Sequence, residues 1–415
     1  MKNPSHLLPT TRREFLRLTS GGIGLLAFSR FAPDFLVQST LAATPAPEKD
    51  RSILVLVQLA GGNDGLNTVI PFEDANYYRL RPALGVPKDQ VLRLNDTLGL
   101  HPACAPLHAL AHDGKLSVVQ NVGYPNPNRS HFRSTDIWET ASDSDRVIPT
   151  GWIGRFLDNT CTGAPAAPAD PPAVHLGNEV PGAFLAEHAH PTFGLSPNQF
   201  SRGDNRRNLA LLEALVHQPT PENANASFLK QTMMDALVTE ARVQKVLSGY
   251  QPGQAYPGNP FAQSLRNVAA LIAAGLSTRV YFVSLGGFDT HANQLNSHAN
   301  LLRTLSEGLS AFQKDLEAHK LDDQVMTLTF SEFGRRPMEN ESHGTDHGTA
   351  APLFVMGSRV KGDLHGTPPS LQLERNQDLA FSTDFRQVYA TVLDRWLQCP
   401  AATVLGKAYQ PLAFL

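Results

Sequence analysis

The sequence predicts an α/β protein built on a mostly parallel sheet with helices on both faces. Two patterns predict it: continuous apolar runs that end in glycine-rich turns, and amphipathic stretches at helical spacing between them. Apolar runs without alternation suit strands buried on both sides, and strands alternating with helices give a parallel sheet.

The first run is residues 52–59, ending in Gly61-Gly62-Asn63-Asp64-Gly65. The second, 116–122, leads into the turn that holds Asn128, Arg129, Ser130 and His131. Residues 160–260 are rich in Pro, Ala, Asn and Gly and read as an irregular insertion or cap, with one helix expected at 226–247. Leu265, Val268, Leu271 and Ile272 then follow helical spacing, with Gly275 as the stop. Residues 279–285 form the third strand, ending in Gly286-Gly287-Phe288-Asp289-Thr290-His291. A long helix carries Leu295, Leu302, Leu305, Leu309, Phe312 and Leu316 on one stripe. Residues 325–330 are the fourth strand, ending in Ser331-Glu332-Phe333-Gly334-Arg335, and 352–357 are the fifth. A helix at 384–397, with Phe385, Val388, Val392 and Trp396 at core spacing, closes the chain.

The N-terminus reads as an export signal. Arg12-Arg13 precedes Phe15-Leu16, an apolar stretch spans 21–28, and small residues follow to Ala43. A basic region, an apolar region and a small-residue cleavage site make a secretory signal, and the arginine pair makes it the twin-arginine kind. The expected organisation is a signal at 1–43 cut near Ala42 or Ala46, a linker at 44–51, and one domain at 52–415. The twin-arginine translocase is then the partner during export, and the mature protein is periplasmic or secreted. No later run approaches the roughly twenty apolar residues of a membrane span.

Composition narrows the function. A formal charge of −3 over 415 residues, with no basic stripe, gives no field for nucleic acid. Cys104, Cys161 and Cys399 allow at most one disulfide and match no zinc motif, so they read as mostly buried and inert. The chain lacks G-x-S-x-G, H-E-x-x-H, a phosphate loop ending in Lys-Ser or Lys-Thr, and the G-x-G-x-x-G dinucleotide spacing. His188 and His190, beside Glu187, read as surface residues, or less simply as a secondary metal pair.

Ligands of open α/β sheets bind at the carboxyl ends of strands. Here those ends carry Asp64, then Ser130 and His131, then Asp289 and His291, then Glu332 with Arg335, while His343, Asp346 and His347 precede the fifth strand. Such oxygens and nitrogens suit Zn²⁺ or Mn²⁺, with Mg²⁺ or Ca²⁺ where oxygens dominate. Two such ions a few ångströms apart there would polarise a phosphoryl or sulfuryl oxygen and activate a serine. Ser130 is the expected nucleophile, with Ser134 and Thr135 behind it, and Arg335 the expected holder of the substrate's anionic oxygens, with Arg129 or Arg133 as substitutes.

The Gly-Gly-Asn-Asp-Gly-Leu-Asn turn at 61–67, Asn-Arg-Ser-His-Phe at 128–132, Gly-Phe-Asp-Thr-His at 287–291, Ser-Glu-Phe-Gly-Arg at 331–335 and Asp-His-Gly-Thr-Ala at 346–350 resemble the bacterial family labelled domain of unknown function 1501. The likeness spans residues 53–397, and the twin-arginine start fits it. The resemblance implies kinship with the alkaline phosphatase and sulfatase superfamily, hence a three-layer sandwich with metals at the strand tips. By position, Asp64 resembles the first-strand metal Asp, Ser130 the nucleophile, Asp289 and His291 the Asp-and-His pair, Glu332 the strand-end carboxylate and His347 the late His, with Asp346 as neighbour or ligand. Phe333 stands where a second His is usual, which removes one ligand. The expected activity is hydrolysis or transfer of a phosphate or sulfate ester; a non-catalytic exported binding or scaffold protein is the alternative, and a lyase or isomerase on the same metal edge a third.

Overall fold

A computed structural model describes residues 51–159, 170–177, 179–188, 190, 192–195, 243–374 and 376–415. The expected export signal, the linker up to residue 50, Cys161 and most of the helix expected at 226–247 lie outside these; its described residues, 243–247, are helical, and the helix runs on to 249. The described residues fall into two compact units. One holds 243–251 and 274–276; the other holds the rest and carries the sheet. Among the described residues no helix is long and apolar enough to cross a membrane.

The strands in chain order are β1 (Ile53–Ala60), β2 (Val69–Ile70), β3 (Leu92–Arg93), β4 (Gly99–Leu100), β5 (Leu116–Gly123), β6 (Ala173–Leu176), β7 (Thr192–Leu195), β8 (Val280–Gly286), β9 (Val325–Phe330), β10 (Ala351–Met356), β11 (Leu364–His365) and β12 (Thr383–Asp384). Among these, nine form one sheet in the order β11-β5-β10-β9-β1-β8-β6-β7, with β12 also on β5; β2, β4 and β3 form a small second sheet. The five expected strands match β1, β5, β8, β9 and β10 within one residue at each end. β1 lies at the centre, parallel to β8 and β9, with Leu56 opposite both Phe282 and Leu328.

One direction departs from expectation. β10 runs antiparallel to both β9 and β5, so it is the reversed strand of an otherwise parallel sheet. Part of the segment expected to be irregular also proves regular: β6 and β7 extend the parallel sheet beyond β8.

The alternation of each strand feeds two faces. Leu54, Leu56, Phe282 and Leu328 pack in one cluster with Trp138, Trp152, Phe385, Tyr389 and Trp396. Val55 and Val57 point the other way and are equally buried. The helix Pro260–Ala273 buries Leu265, Val268, Leu271 and Ile272 as its spacing requires. The helix Gln294–Ala318 buries its expected stripe except Leu295, which is 49% exposed in the first turn. The helix expected to close the chain begins with a capping box between Asp384 and Gln387 and passes from α to π geometry at Val392, a change its apolar spacing does not announce, and a further short helix, Ala401–Leu405, follows it. Cys104 is free and buried, its thiol pushed up to about 12 by burial, in line with an inert core residue.

Candidate metal and catalytic site

The carboxyl-terminal edge of the sheet is assembled by close backbone approaches. Gly61 and Gly62, at the tip of β1, hold φ values of +118° and +83°. A Cβ on Gly61 would lie 2.4 Å from the amide nitrogen of Asp289, and one on Gly62 would lie 2.4 Å from Phe333 Cε2. Only glycine allows both the conformation and the approach. The segment between β9 and β10 leaves from this edge and, because β10 is reversed, returns to it. Arg335 and His347 form an antiparallel bridge across that loop, reinforced by the Gly348 amide donating to Gly334 O at 2.8 Å.

Asp289 is the centre of the arrangement. His291 Nε2 lies 3.0 Å and His347 Nε2 3.1 Å from its Oδ1, and His131 Nε2 lies 3.5 Å from its Oδ2. The two nitrogens of His291 and His347 are themselves 2.9 Å apart. Ligand atoms of His131, Asp289 and His347 all lie within 4.8 Å of one another. Burial pushes the Asp289 carboxyl up, but the Arg335 hydrogen bond, then His347, outweigh it and hold the carboxyl at about 2. An anionic oxygen facing several imidazole nitrogens at these distances is a donor set that fits a divalent transition metal.

The opposite ring nitrogens are each engaged. His131 Nδ1 meets Glu332 Oε1 at 2.9 Å, His347 Nδ1 donates to Arg129 O at 2.8 Å, and His291 Nδ1 faces Asp346 Oδ1 at 3.4 Å. Phe333 lies beneath this layer, its ring 4.4 Å from that of His347 and 4.9 Å from that of His131.

The expected site residues therefore divide. Asp289, His291 and His347 come together. Glu332 is buried and turned to His131 and to the Gly61 amide at 2.8 Å, and Asp346 is exposed behind His291. Asp64 is placed differently from the expectation of a metal ligand. Its carboxylate is fully buried, pairs with Arg81, accepts from Gln294 Nε2, and caps a short helix at the Asn67 amide. Burial pushes its carboxyl up, and the Arg81 charge and hydrogen bond more than reverse this.

Arg335 is a correction as well. Its side chain is wholly buried, with Nε donating to Gly62 O, Nη1 to Thr345 O, and Nη2 to Gly61 O, Phe288 O and Asp289 Oδ1. The second Nη1 N–H faces only His291 Nε2, at 3.5 Å, so the buried guanidinium is committed to protein acceptors rather than to a substrate. The expected substitutes are also engaged: Arg129 pairs with Asp378, and Arg133 with Asp136 and nearby carbonyls. Ser130 is exposed at the start of the helix His131–Thr140, and its hydroxyl does not cap that helix. Ser134 is buried and bound to Tyr124 OH at 2.7 Å and to Glu332 O, which removes it as a nucleophile. Thr135 lines an open cleft with His131, Phe132, Asp136 and Glu139. His188 and His190 both face Asp158 Oδ1, at 3.3 and 2.8 Å, which ties their turn to the helix Trp152–Asp158.

His131 stood among the strand-tip candidates of the sequence but had no counterpart in the ligand set that the resemblance implied. Its signal was its place at a strand tip in the same turn as a serine.

The chain matches the model of a family described as "Protein of unknown function (DUF1501)" over residues 51–404. No curated protein sequence matches it. Similar solved structures include a 2-O GAG sulfatase (8% identity, 88% of this chain and 76% of that one, TM-score 0.38) and an alkaline phosphatase superfamily protein from Vibrio parahaemolyticus (8%, 82% and 73%, 0.36). A third is the C-terminal periplasmic domain of EcEptC from Escherichia coli in complex with Zn (12%, 75% and 75%, 0.33).

Proposed function

The chain belongs to the DUF1501 family, and from that premise we propose that it is an exported, metal-dependent hydrolase or transferase of a phosphate or sulfate ester. The observation that carries this reading is the Asp289–histidine cluster beside an exposed serine that caps nothing, at the ligand-binding edge of the sheet. A divalent ion held by His131, Asp289 and His347 would supply Lewis acidity toward the ester's non-bridging oxygen and lower the pKa of a bound hydroxyl. Ser130 Oγ forms its bond to phosphorus or sulfur as the ester bond breaks, the alcohol leaves with a proton, and water later releases the serine ester.

Of the arginines expected to hold the anionic oxygens, Arg335 is committed to protein acceptors, and Arg129 and Arg133 are each paired with a carboxylate. The start of the helix His131–Thr140 takes that role in this reading, since its first amides lack a side-chain cap and the helix dipole favours an anion there. The commitment of Arg335 to protein acceptors also favours a second reading, an exported binding protein that retains the metal without turnover. Ser130→Ala separates them. Under the hydrolase reading it removes turnover of any phosphate or sulfate ester that the wild type cleaves, with metal content unchanged; undiminished turnover would remove the serine from the mechanism. Export through the twin-arginine translocase is tested by Arg12→Lys with Arg13→Lys, which should leave the protein in the cytoplasm.

A further inference from the structure

We infer that the centre is mononuclear and nitrogen-rich, with His131, His291 and His347 joining Asp289 around one transition-metal ion, Zn²⁺ in the first place, and with Glu332 as an outer carboxylate that positions His131. The inference rests on the metal-dependent reading above and sharpens it.

Three observations carry it. First, His131, His291 and His347 present the same atom, Nε2, to the Asp289 carboxylate, at 3.5, 3.0 and 3.1 Å, with His291 Nε2 also 3.5 Å from Arg335 Nη1, which an ion would displace as its partner. Each Nδ1 is turned away onto an acceptor: Glu332 Oε1, Asp346 Oδ1 and Arg129 O. A metal-ligating histidine has this arrangement, because the partner at one ring nitrogen fixes the proton there and leaves the other lone pair for the ion.

Second, the charge suits imidazole-seeking ions. Asp289 is the one carboxylate in the inner set, and the Arg335 guanidinium, 2.6 Å away, already offsets it. Ca²⁺ and Mg²⁺ take mostly oxygen ligands, and a set with one partly neutralised carboxylate gives them little.

Third, the residues that a second ion would need are committed elsewhere. Asp64 is locked to Arg81 with neither side chain exposed, and Phe333 contributes only its ring under His131 and His347.

Glu332 has the geometry of a positioning residue. It is buried, its Oε1 also accepts the Gly61 amide, and its backbone oxygen accepts Ser134 Oγ, so its carboxylate stands fixed behind His131. Outer partners of this kind change metal affinity about 10–100-fold when removed.

The test is calorimetric titration of the metal-stripped full chain with Zn²⁺, Ca²⁺ and Mg²⁺ separately, beside His131→Gln, Asp64→Asn and Glu332→Gln, each checked for fold by circular dichroism. One equivalent of Zn²⁺ is expected, with Ca²⁺ and Mg²⁺ bound far more weakly. His131→Gln should weaken Zn²⁺ at least about 100-fold and Glu332→Gln about 10-fold, while Asp64→Asn retains the wild-type affinity. Nitrogen-15 shifts of His131 in metal-free protein give an independent readout: the hydrogen should sit on Nδ1 in the wild type, and Glu332→Ala should release that preference. Two equivalents of metal, preference for Ca²⁺, or Zn²⁺ binding lost in Asp64→Asn but kept in His131→Gln would overturn the inference. Metal lost in Glu332→Gln with the His131 tautomer unchanged by Glu332→Ala would make Glu332 a ligand and overturn its positioning role. Zn²⁺ bound as expected without ester cleavage would refute only the hydrolase reading.

Discussion

Replacing Arg81 by methionine should destabilise the fold by about 3–5 kcal/mol without touching the proposed metal centre. The figure comes from the cost of stranding one member of a buried ion pair. Arg81 and Asp64 are both wholly buried, and Arg81 also donates to Asn67 Oδ1 at 2.9 Å, Pro337 O at 3.0 Å and Arg336 O at 3.1 Å. Gln294 Nε2 and the Asn67 amide still serve the carboxylate, which keeps the loss from growing larger. The loss also has a pH signature. In the wild type the Asp64 carboxyl is held below its ordinary value, so its contribution is present above about pH 4 and fades as pH falls. Without Arg81, burial prevails and the carboxyl moves up, so the variant weakens as pH rises. The gap between the two proteins should therefore be wide at pH 8 and narrow at pH 4. Urea unfolding at both pH values, with elemental analysis of each sample, measures it. A loss below about 1 kcal/mol at pH 8 would refute the stranded-charge reasoning, as would metal loss in the folded variant.

Three other outcomes follow from the same structure. Burial holds His101, His175 and His298 at about 4, so the unfolded chain gains protons below pH 6.5 that the native state refuses, and stability should fall from pH 6.5 to pH 4 by up to about 3 kcal/mol per histidine; a flat thermal midpoint over that range would contradict it. Burial pushes the Glu139 carboxyl up to about 7, against the pull of the Gly182 amide, so its presence lowers stability as pH rises from 4.5 through 7. Glu139→Gln should thus gain about 2–3 kcal/mol at pH 8 relative to its effect at pH 4, read from unfolding midpoints. Gly62→Ala, with positive φ and Phe333 in the way, should cost about 2 kcal/mol or more and weaken binding at the proposed metal centre, whereas Gly286→Ala meets nothing within 4 Å and should change neither.

The strands that could be read from the sequence were those whose apolar runs are buried on both faces, such as 53–60 and 325–330. Direction was not legible: an apolar run reads the same in either sense, and only hydrogen bonding shows that β10 is reversed. β6 and β7, four residues each, offer too short a pattern to stand out from their Pro- and Ala-rich surroundings. At the candidate site, Asp289, His291 and His347 come together as expected because their type and strand-tip position agree with their contacts. Asp64 has the same type and position but a different fate, decided by an arginine 17 residues away. Arg335 looked free for the same reason; nothing local reveals that carbonyls from two other loops and from the far end of its own converge on it.

That convergence bears on how the site comes into being. The acceptors of Arg335 follow β1 (Gly61, Gly62), follow β8 (Phe288, Asp289) and lie late in its own loop (Thr345). The buried guanidinium has its full set of acceptors only when all of these turns are in place, which couples their stability. The edge should therefore assemble and open as one cooperative unit, its amides exchanging hydrogen together, with the sheet already formed beneath it.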